Sequence, residues 1–335
     1  WNLACNNLDN KKAILEAGAI EPLVKLLDGT DTQKEYAAGA LMILAINNPD
    51  NQKAILEAGA IEPLVKLLDG TDTQKENAAG ALWNLACNNL DNKKAILEAG
   101  AIEPLVKLLD GTDRQKETAA GALMMLAINN PDNQKAIIEA GAIEPLVKLL
   151  DGTDRQKETA AEALINLAAN PENRVLVIKA GAIEPLVKLL DGADRQKWIA
   201  AGALMILAIN NPDNQKAILE AGAIEPLVKL LDGADRQKWI AAGALKNLAS
   251  NNPDNQKAII EAGAIEPLVT LLKEGENTQK RYAAGVLKNL ASNNPDNQKA
   301  FEEIKRLVTL VMKGSDRQKE NAARALRNFK WIQSI

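Results

Sequence analysis

Apolar residues recur along this chain at a helical spacing, and the spacing itself recurs. In Ile61-Glu62-Pro63-Leu64-Val65-Lys66-Leu67-Leu68, the residues Leu64, Val65, Leu67 and Leu68 form a stripe at i, i+1, i+3 and i+4. Glu62, Lys66 and Asp69 fall on the wet side, so the stretch predicts an amphipathic helix. Preceded by Gly-Ala, it begins at Gly18, Gly59, Gly100, Gly141, Gly181, Gly222 and Gly263, in steps of 41, 41, 41, 40, 41 and 41 residues. A degraded eighth copy survives at Leu307–Val311. Self-similarity at one period predicts a stacked repeat architecture.

Each repeat reads as three helices. Asn48-Pro49-Asp50-Asn51 supplies a capping Asn, a Pro at the first helical position and an acid in the first turn. Gly59 is expected to stop this short helix in the left-handed conformation. The second helix starts near Pro63 and ends at Gly70. The third opens on Thr71-Asp72-Thr73-Gln74, a capping box pairing Thr71 with Gln74. It continues through Ala78, Ala79, Ala81, Leu82, Leu85 and Ala86 to Asn88-Asn89. Thr112/Gln115, Thr153/Gln156 and Ser315/Gln318 repeat the box. Ala193 and Ala234 lack the hydroxyl, and Asp194 and Asp235 are expected to cap in its place. No such helix buries its apolar face alone, so the fold class is all-α, with three-helix layers closing one core by stacking.

The copies deviate in three places. The repeat ending at Ala169-Asn170-Pro171 is one residue short and carries Glu162 and Val175-Leu176-Val177, which predicts a local irregularity. Phe301–Arg306 replaces the Gly-Ala turn, and Arg324, Arg327, Lys330 and Gln333 polarise the last helix, as suits a terminal cap. Trp1–Asn7 matches Trp83–Asn89, the latter half of a third helix. The chain therefore reads as one solenoid over 1–335: a partial third helix in 1–7, seven repeats over 8–294 and a capping repeat over 295–335.

Composition narrows the function. With aromatics at 3%, Leu, Ile, Val and Ala must build the core. The absence of histidine removes the usual general base and a common metal ligand. There is no CxxC and no Gly-rich phosphate loop, and carboxylates such as Glu57 and Glu62 recur in every repeat as solvated faces do. Neither catalysis nor a cofactor or metal is expected. Cys5 and Cys87 stand two repeats apart, about 20 Å at roughly 10 Å per layer, too far for a disulfide. Free thiols without a glycosylation sequon or signal peptide fit a reducing compartment, cytoplasm or nucleus for a natural protein. The longest run free of polar side chains, Trp198–Ile209, is shorter than the roughly 18 residues a membrane span needs. The net charge of −4 is uneven: residues from 278 onward carry twelve Lys/Arg against five Asp/Glu. This end reads either as a solvated, solubilising cap or as a surface that prefers anionic ligands; no basic stripe runs along the chain, so nucleic acid is not an expected partner.

A three-helix unit of about 41 residues, with a short first helix, a Gly-Ala-Ile turn, a Pro near the second helix and an Asn late in the third, resembles the armadillo repeat. The near identity of the copies also resembles consensus-derived or designed armadillo arrays. The resemblance implies a right-handed superhelix whose third helices line a groove for an extended peptide running antiparallel to the array. It also implies that a third-helix Asn hydrogen-bonds the ligand backbone. That residue maps onto Asn2, Asn84, Asn166, Asn247, Asn289 and Asn328, with Ile43, Met125 and Ile206 in its place in alternate repeats. The Trp one turn earlier in importin-like repeats is here Gly39, Gly80, Gly121, Gly202, Gly243 and Gly285, with Glu162 and Arg324 as exceptions. The Lys/Arg slots of a nuclear-import receptor are thereby missing.

Four features admit two readings each. Asn84, Asn166, Asn247 and Asn289 either clamp a ligand backbone or bond helix to helix. The third-helix glycines either leave room for a ligand or let adjacent helices pack closely. Trp198 and Trp239, each three residues after Arg195 or Arg236, either form a cation–π strip with Ile199 and Ile240 for a partner or pack laterally. Trp83, Met125 and Ile206, in rows that alternate with a period of two repeats, either offer apolar ligand pockets or belong to the core. The expected function is a non-catalytic scaffold holding an extended peptide or protein segment. The alternative is a structural or designed array without an evolved ligand that self-associates through apolar groove or end surfaces.

Overall fold

Asn48 caps the helix Pro49–Glu57 by accepting from the Asn51 N–H at 3.0 Å, and Ala58 and Gly59 close it. The computed structural model describes residues 7–292 and 298–327 of the chain. Trp1, Asn2, Cys5, Asn328, Lys330 and Gln333, and with them most of the partial helix expected at the start, lie outside these residues. The described residues are helical, without strands. The chain divides into two compact units, Trp1–Ala180 and Gly181–Ile335. No helix among the described residues is long and apolar enough to cross a membrane.

In the N-terminal unit the three-helix pattern repeats closely. The third helices are Asp31–Ala45, Asp72–Ala86, Asp113–Ala127 and Asp154–Leu167. Those of the C-terminal unit are Asp194–Leu207, Asp235–Leu248 and Asn277–Ala291. The predicted second helix begins two residues ahead of Pro63, at Ile61, and its last turn tightens into a 3₁₀ segment, Leu67–Asp69. The glycines that end the first helices, Gly18 to Gly263, all take φ between 69° and 81°, a region open to glycine at little cost. Of the predicted stripe, Leu64, Leu67 and Leu68 are buried and Val65 is half-buried; Ile55, Ala78, Leu82 and Leu85 are fully buried as well.

Among the described residues, five third helices are followed by an Asn in the left-handed region, Asn47, Asn88, Asn129, Asn210 and Asn251, with φ between 50° and 54°. The next Asn caps the following first helix. Asn170 breaks this rule. The lost residue removes the left-handed Asn, Asn170 accepts from Glu172 N instead, and Arg174 Nε donates to Ala168 O at 2.9 Å. Val175 and Leu176 stand exposed on the helix that follows. This is the expected irregularity.

The capping boxes form as predicted at Thr71, Thr112 and Thr153, Ser315 N donates to Gln318 Oε1 at 2.9 Å, and Thr30 makes the same box with Gln33. At Ala193 and Ala234 the expectation fails. Asp194 and Asp235 do not cap; their carboxylates accept from Gln237 and Gln279 of the following layer at 3.3 and 3.4 Å. Only the Gln half of the box remains, with Ala193 N and Ala234 N donating to Gln196 and Gln237. The reason is general along the stack. Gln74, Gln115 and Gln156 likewise reach back to Asp31, Asp72 and Asp113 at 2.9–3.1 Å, so the Asp at the first helical position is committed to the neighbouring layer.

In the last repeat the first and second helices merge into one, Gln298–Lys313, because no Gly-Ala turn interrupts them. The final helix, Asp316–Arg327, buries Ala322, Ala323 and Leu326. Arg327 pairs with Glu266 at 2.9 Å and Lys273 pairs with Glu320. A hydrogen bond from Lys273, and its charge, hold the Glu320 carboxyl below its usual pKa.

Candidate functional site

The last turn of a helix leaves carbonyls without intrahelical partners. In Asp31–Ala45, each of these finds a specific donor. Ile43 O accepts from Ile46 N, Leu44 O from Asn51 Nδ2 at 3.0 Å and Ala45 O from Gln52 Nε2 at 3.2 Å. Met42 O accepts from Asn84 Nδ2 of the next layer at 2.9 Å. The first-helix amides recur: Asn92, Asn133, Asn173, Asn214 and Asn255 donate to Leu85, Leu126, Leu167, Leu207 and Leu248. These buried amides were not singled out from the sequence, although an Asn at the same place in every repeat was the available signal.

The third-helix Asn row therefore bonds helix to helix. Asn247 Nδ2 donates to Met205 O and Asn289 Nδ2 to Lys246 O, both at 2.8 Å. Asn166 is half-buried and makes no such bond. In the three bonded residues the donor is used inside the stack, and the half-buried carbonyl Oδ1 remains as an acceptor. Met125 and Ile206, at alternate places in this row, are half-buried, whereas Ile43 is core.

The glycines follow from the row beside it. A Cβ on Gly80 would lie 2.5 Å from Met42 Sδ, on Gly121 2.5 Å from the Trp83 ring, on Gly243 2.5 Å from Met205 Sδ and on Gly285 2.8 Å from Lys246 Cδ. A side chain of the preceding layer lies across each glycine, so the close-packing reading holds at these four. Trp83 accordingly spans two layers, with the Arg155 guanidinium 5.8 Å from its ring centroid.

The Trp strip forms with different partners from those expected. Arg195 lies 5.7 Å from the ring of its own Trp198. Arg236 stacks on Trp198 of the preceding layer at 3.5 Å, not on Trp239. Ile199 and Ile240 are buried in the core at 0% and 3% exposure and take no part in the strip. Trp239 instead stacks on Tyr282, centroids 6.1 Å apart and planes 20° from parallel. Arg281 and Lys246 approach the same Tyr282 ring at 5.2 and 5.9 Å. The Arg–Trp spacing within a helix gave no hint that the contact would cross layers. Tyr282 and Arg281 were readable only as departures in the Ile240 and Trp239 columns.

Lys93 is also unforeseen. Its stem is buried and its ammonium donates to Ile128 O at 2.8 Å, in a place where other repeats carry Gln52, Gln134 or Gln215. Lys11 makes the equivalent bond to Ile46 O at 2.8 Å. Burial lowers the Lys93 pKa, against an opposing effect from Cys87. The free Cys87 thiol donates to Trp83 O at 3.4 Å, and burial raises its pKa against the pull of Lys93.

Two family models match the chain: the plant U-box protein ARM repeat region over residues 1–191, and the armadillo/beta-catenin-like repeat over residues 252–292. No curated protein matches it. Among solved structures, an engineered protein from a structural genomics consortium is 40% identical, with a TM-score of 0.85, covering 98% of this chain and 82% of that one. A second engineered protein is 41% identical, with a TM-score of 0.66, covering 70% of this chain and 98% of that one. A designed armadillo repeat protein in complex with the peptide (KR)4 is 34% identical, with a TM-score of 0.63, covering 68% of this chain and 99% of its own. With the three-helix repeat, the stacked third helices and these matches together, the chain belongs to the armadillo-repeat family.

Proposed function

We propose that the third helices hold an extended peptide or protein segment, and that the chain works as a non-catalytic scaffold. The observation that carries this reading is the half-buried Asn amides within each unit: Asn84 in the N-terminal unit, and Asn247 and Asn289 in the C-terminal unit, are oriented by interlayer bonds that leave their carbonyls as acceptors, and the amide of Asn166 is left over. An oriented amide oxygen accepts a backbone N–H of an extended chain without reading its side chains. In the N-terminal unit Trp83 and Met125 supply apolar contact area; in the C-terminal unit Trp198, Trp239, Arg195 and Arg236 supply aromatic and cationic contact area, with Ile206 as an apolar contact. The complex of a designed armadillo neighbour with a peptide supports the reading. Armadillo repeats and the designed scaffolds are non-enzymatic folds.

The test is Trp fluorescence during titration with extended peptides. Asn247→Ala combined with Asn289→Ala weakens binding by about tenfold in this reading. Unchanged affinity removes the clamp. Because both amides also cap a carbonyl, the double variant loses some stability, about 1–2 kcal/mol in all. A mass that rises with concentration in light scattering, with no peptide response, favours the self-associating scaffold instead.

A further inference from the structure

The third helices of the C-terminal unit differ in charge from those of the N-terminal unit. Asp31–Ala45, Asp72–Ala86, Asp113–Ala127 and Asp154–Leu167 each carry an Asp and a Glu beside their cations. In Asp235–Leu248 the cations Arg236, Lys238 and Lys246 face one acid, Asp235, and Asn277–Ala291 carries Lys280, Arg281 and Lys288 with none. Lys197 and Lys238 are paired with Asp194 and Asp235. Among the described residues, no carboxylate pairs with Arg236, Lys246, Arg281 or Lys288. Three of these four gather on aromatic rings: Lys246 and Arg281 at Tyr282, and Arg236 at Trp198. The Lys246 stem lies over Gly285 and its ammonium reaches the Tyr282 ring, on the same helix whose Asn289 bonds the Lys246 carbonyl.

We infer that this face of the C-terminal unit takes an acidic extended segment, its carboxylates meeting Lys246, Arg281 and Arg236 while its backbone lies along Asn247 and Asn289. The inference rests on the groove reading above and adds the chemistry of the ligand. Aromatic rings fix the cations in place, which lowers the ordering cost of pairing them with a ligand anion. A peptide fits better than a nucleic acid here, because the Asn247 and Asn289 carbonyls accept backbone N–H groups, which a phosphodiester backbone lacks.

The experiment uses the full chain and three fluorescent dodecapeptides that alternate Leu with Glu, Gln or Lys, measured by anisotropy across a salt series. The Glu peptide binds at least about tenfold tighter than the Gln peptide at low salt, and the advantage falls as salt rises. Lys246→Met with Arg281→Glu, which installs the residues found at the matching places Met205 and Glu35, removes that advantage; circular dichroism checks that the variant folds. Equal binding of the Glu and Gln peptides overturns the acidic preference and leaves the groove standing. Failure of all three peptides to bind overturns the groove as well. Displacement of the Glu peptide by oligothymidylate at lower concentration than by unlabelled Glu peptide overturns the assignment to a peptide.

Discussion

One interlayer slot is filled by different chemistry in the two units. In the N-terminal unit, Thr71 donates to Glu35 at 2.9 Å, Thr112 donates to Glu76 at 3.1 Å, and Arg155 pairs with Glu117 at 3.1 Å. In the C-terminal unit, Arg236 stands at the place of Arg155 and Trp198 at the place of Glu117, and the guanidinium stacks on the indole at 3.5 Å. The backbone frame that brings these positions together is the same: buried Asn staples, Gln-to-Asp bridges and glycines under the neighbouring side chain. The frame sets which residues meet. The side chains set whether the meeting is a polar bridge or a cation–π stack, and therefore what the surface can bind.

The largest test of that comparison changes the frame itself. Gly121→Ala in the N-terminal unit drives a methyl into the rigid Trp83 ring and costs about 2–3 kcal/mol. Gly285→Ala in the C-terminal unit meets only the flexible Lys246 stem, and the gain in helix propensity of about 1 kcal/mol offsets the contact. Urea denaturation followed by circular dichroism reads both. Equal destabilisation breaks the claim that the covering side chain, and not the glycine backbone, decides the cost.

Next in size are the shared staples. Asn92→Ala and Asn255→Ala each strand a third-helix carbonyl, Leu85 O or Leu248 O, and each costs about 2 kcal/mol. Hydrogen exchange locates each loss to its own unit. A loss more than about 1 kcal/mol larger in one unit than the other means that the frames are not equivalent.

Lys93→Gln supplies the uncharged donor found in other repeats and stabilises the N-terminal unit by about 1 kcal/mol at neutral pH. The folded state holds the Lys93 pKa below that of the unfolded chain, so the charged form is penalised at and below neutral pH. That penalty fades as pH rises through the folded pKa towards the usual lysine range, about 10. The raised Cys87 pKa acts in the opposite sense above about pH 9, so the series is run in a Cys87→Ala background. A stability gap between the Lys93→Gln variant and its lysine-bearing parent that widens with pH contradicts the burial account.

The smallest effects belong to the slot. Arg155→Ala costs about 0.5 kcal/mol and loses most of that effect at high salt, because the guanidinium is largely exposed. Arg236→Ala costs about 0.5–1 kcal/mol, keeps most of it at high salt, and changes Trp198 emission. Identical salt dependence at the two positions removes the distinction between bridge and stack.

Repeat length, helix order, capping and the left-handed glycines could be read from the residues because each is a local preference written many times over. Gly59 and the Thr71/Gln74 box need only their own neighbours in sequence to act as they do. Asp194 shows where local reading stops. An Asp after a lost Thr is a fair cap by propensity, but the carboxylate is claimed by Gln237, a residue 43 positions away. The candidate site suffered most from this. Asn84, Arg236 and Trp239 were singled out for a ligand, and each has a partner in an adjoining layer that the spacing within one helix does not reveal.

The sequence by itself determined that helical triplets recur and where each begins and ends, since backbone propensity and the 3.6-residue period act within a few residues. Only the tertiary structure decided which third-helix side chains spend their donors inside the stack and which cations gather on Tyr282. Those choices depend on the angle and rise between successive layers, which bring together residues about one repeat apart.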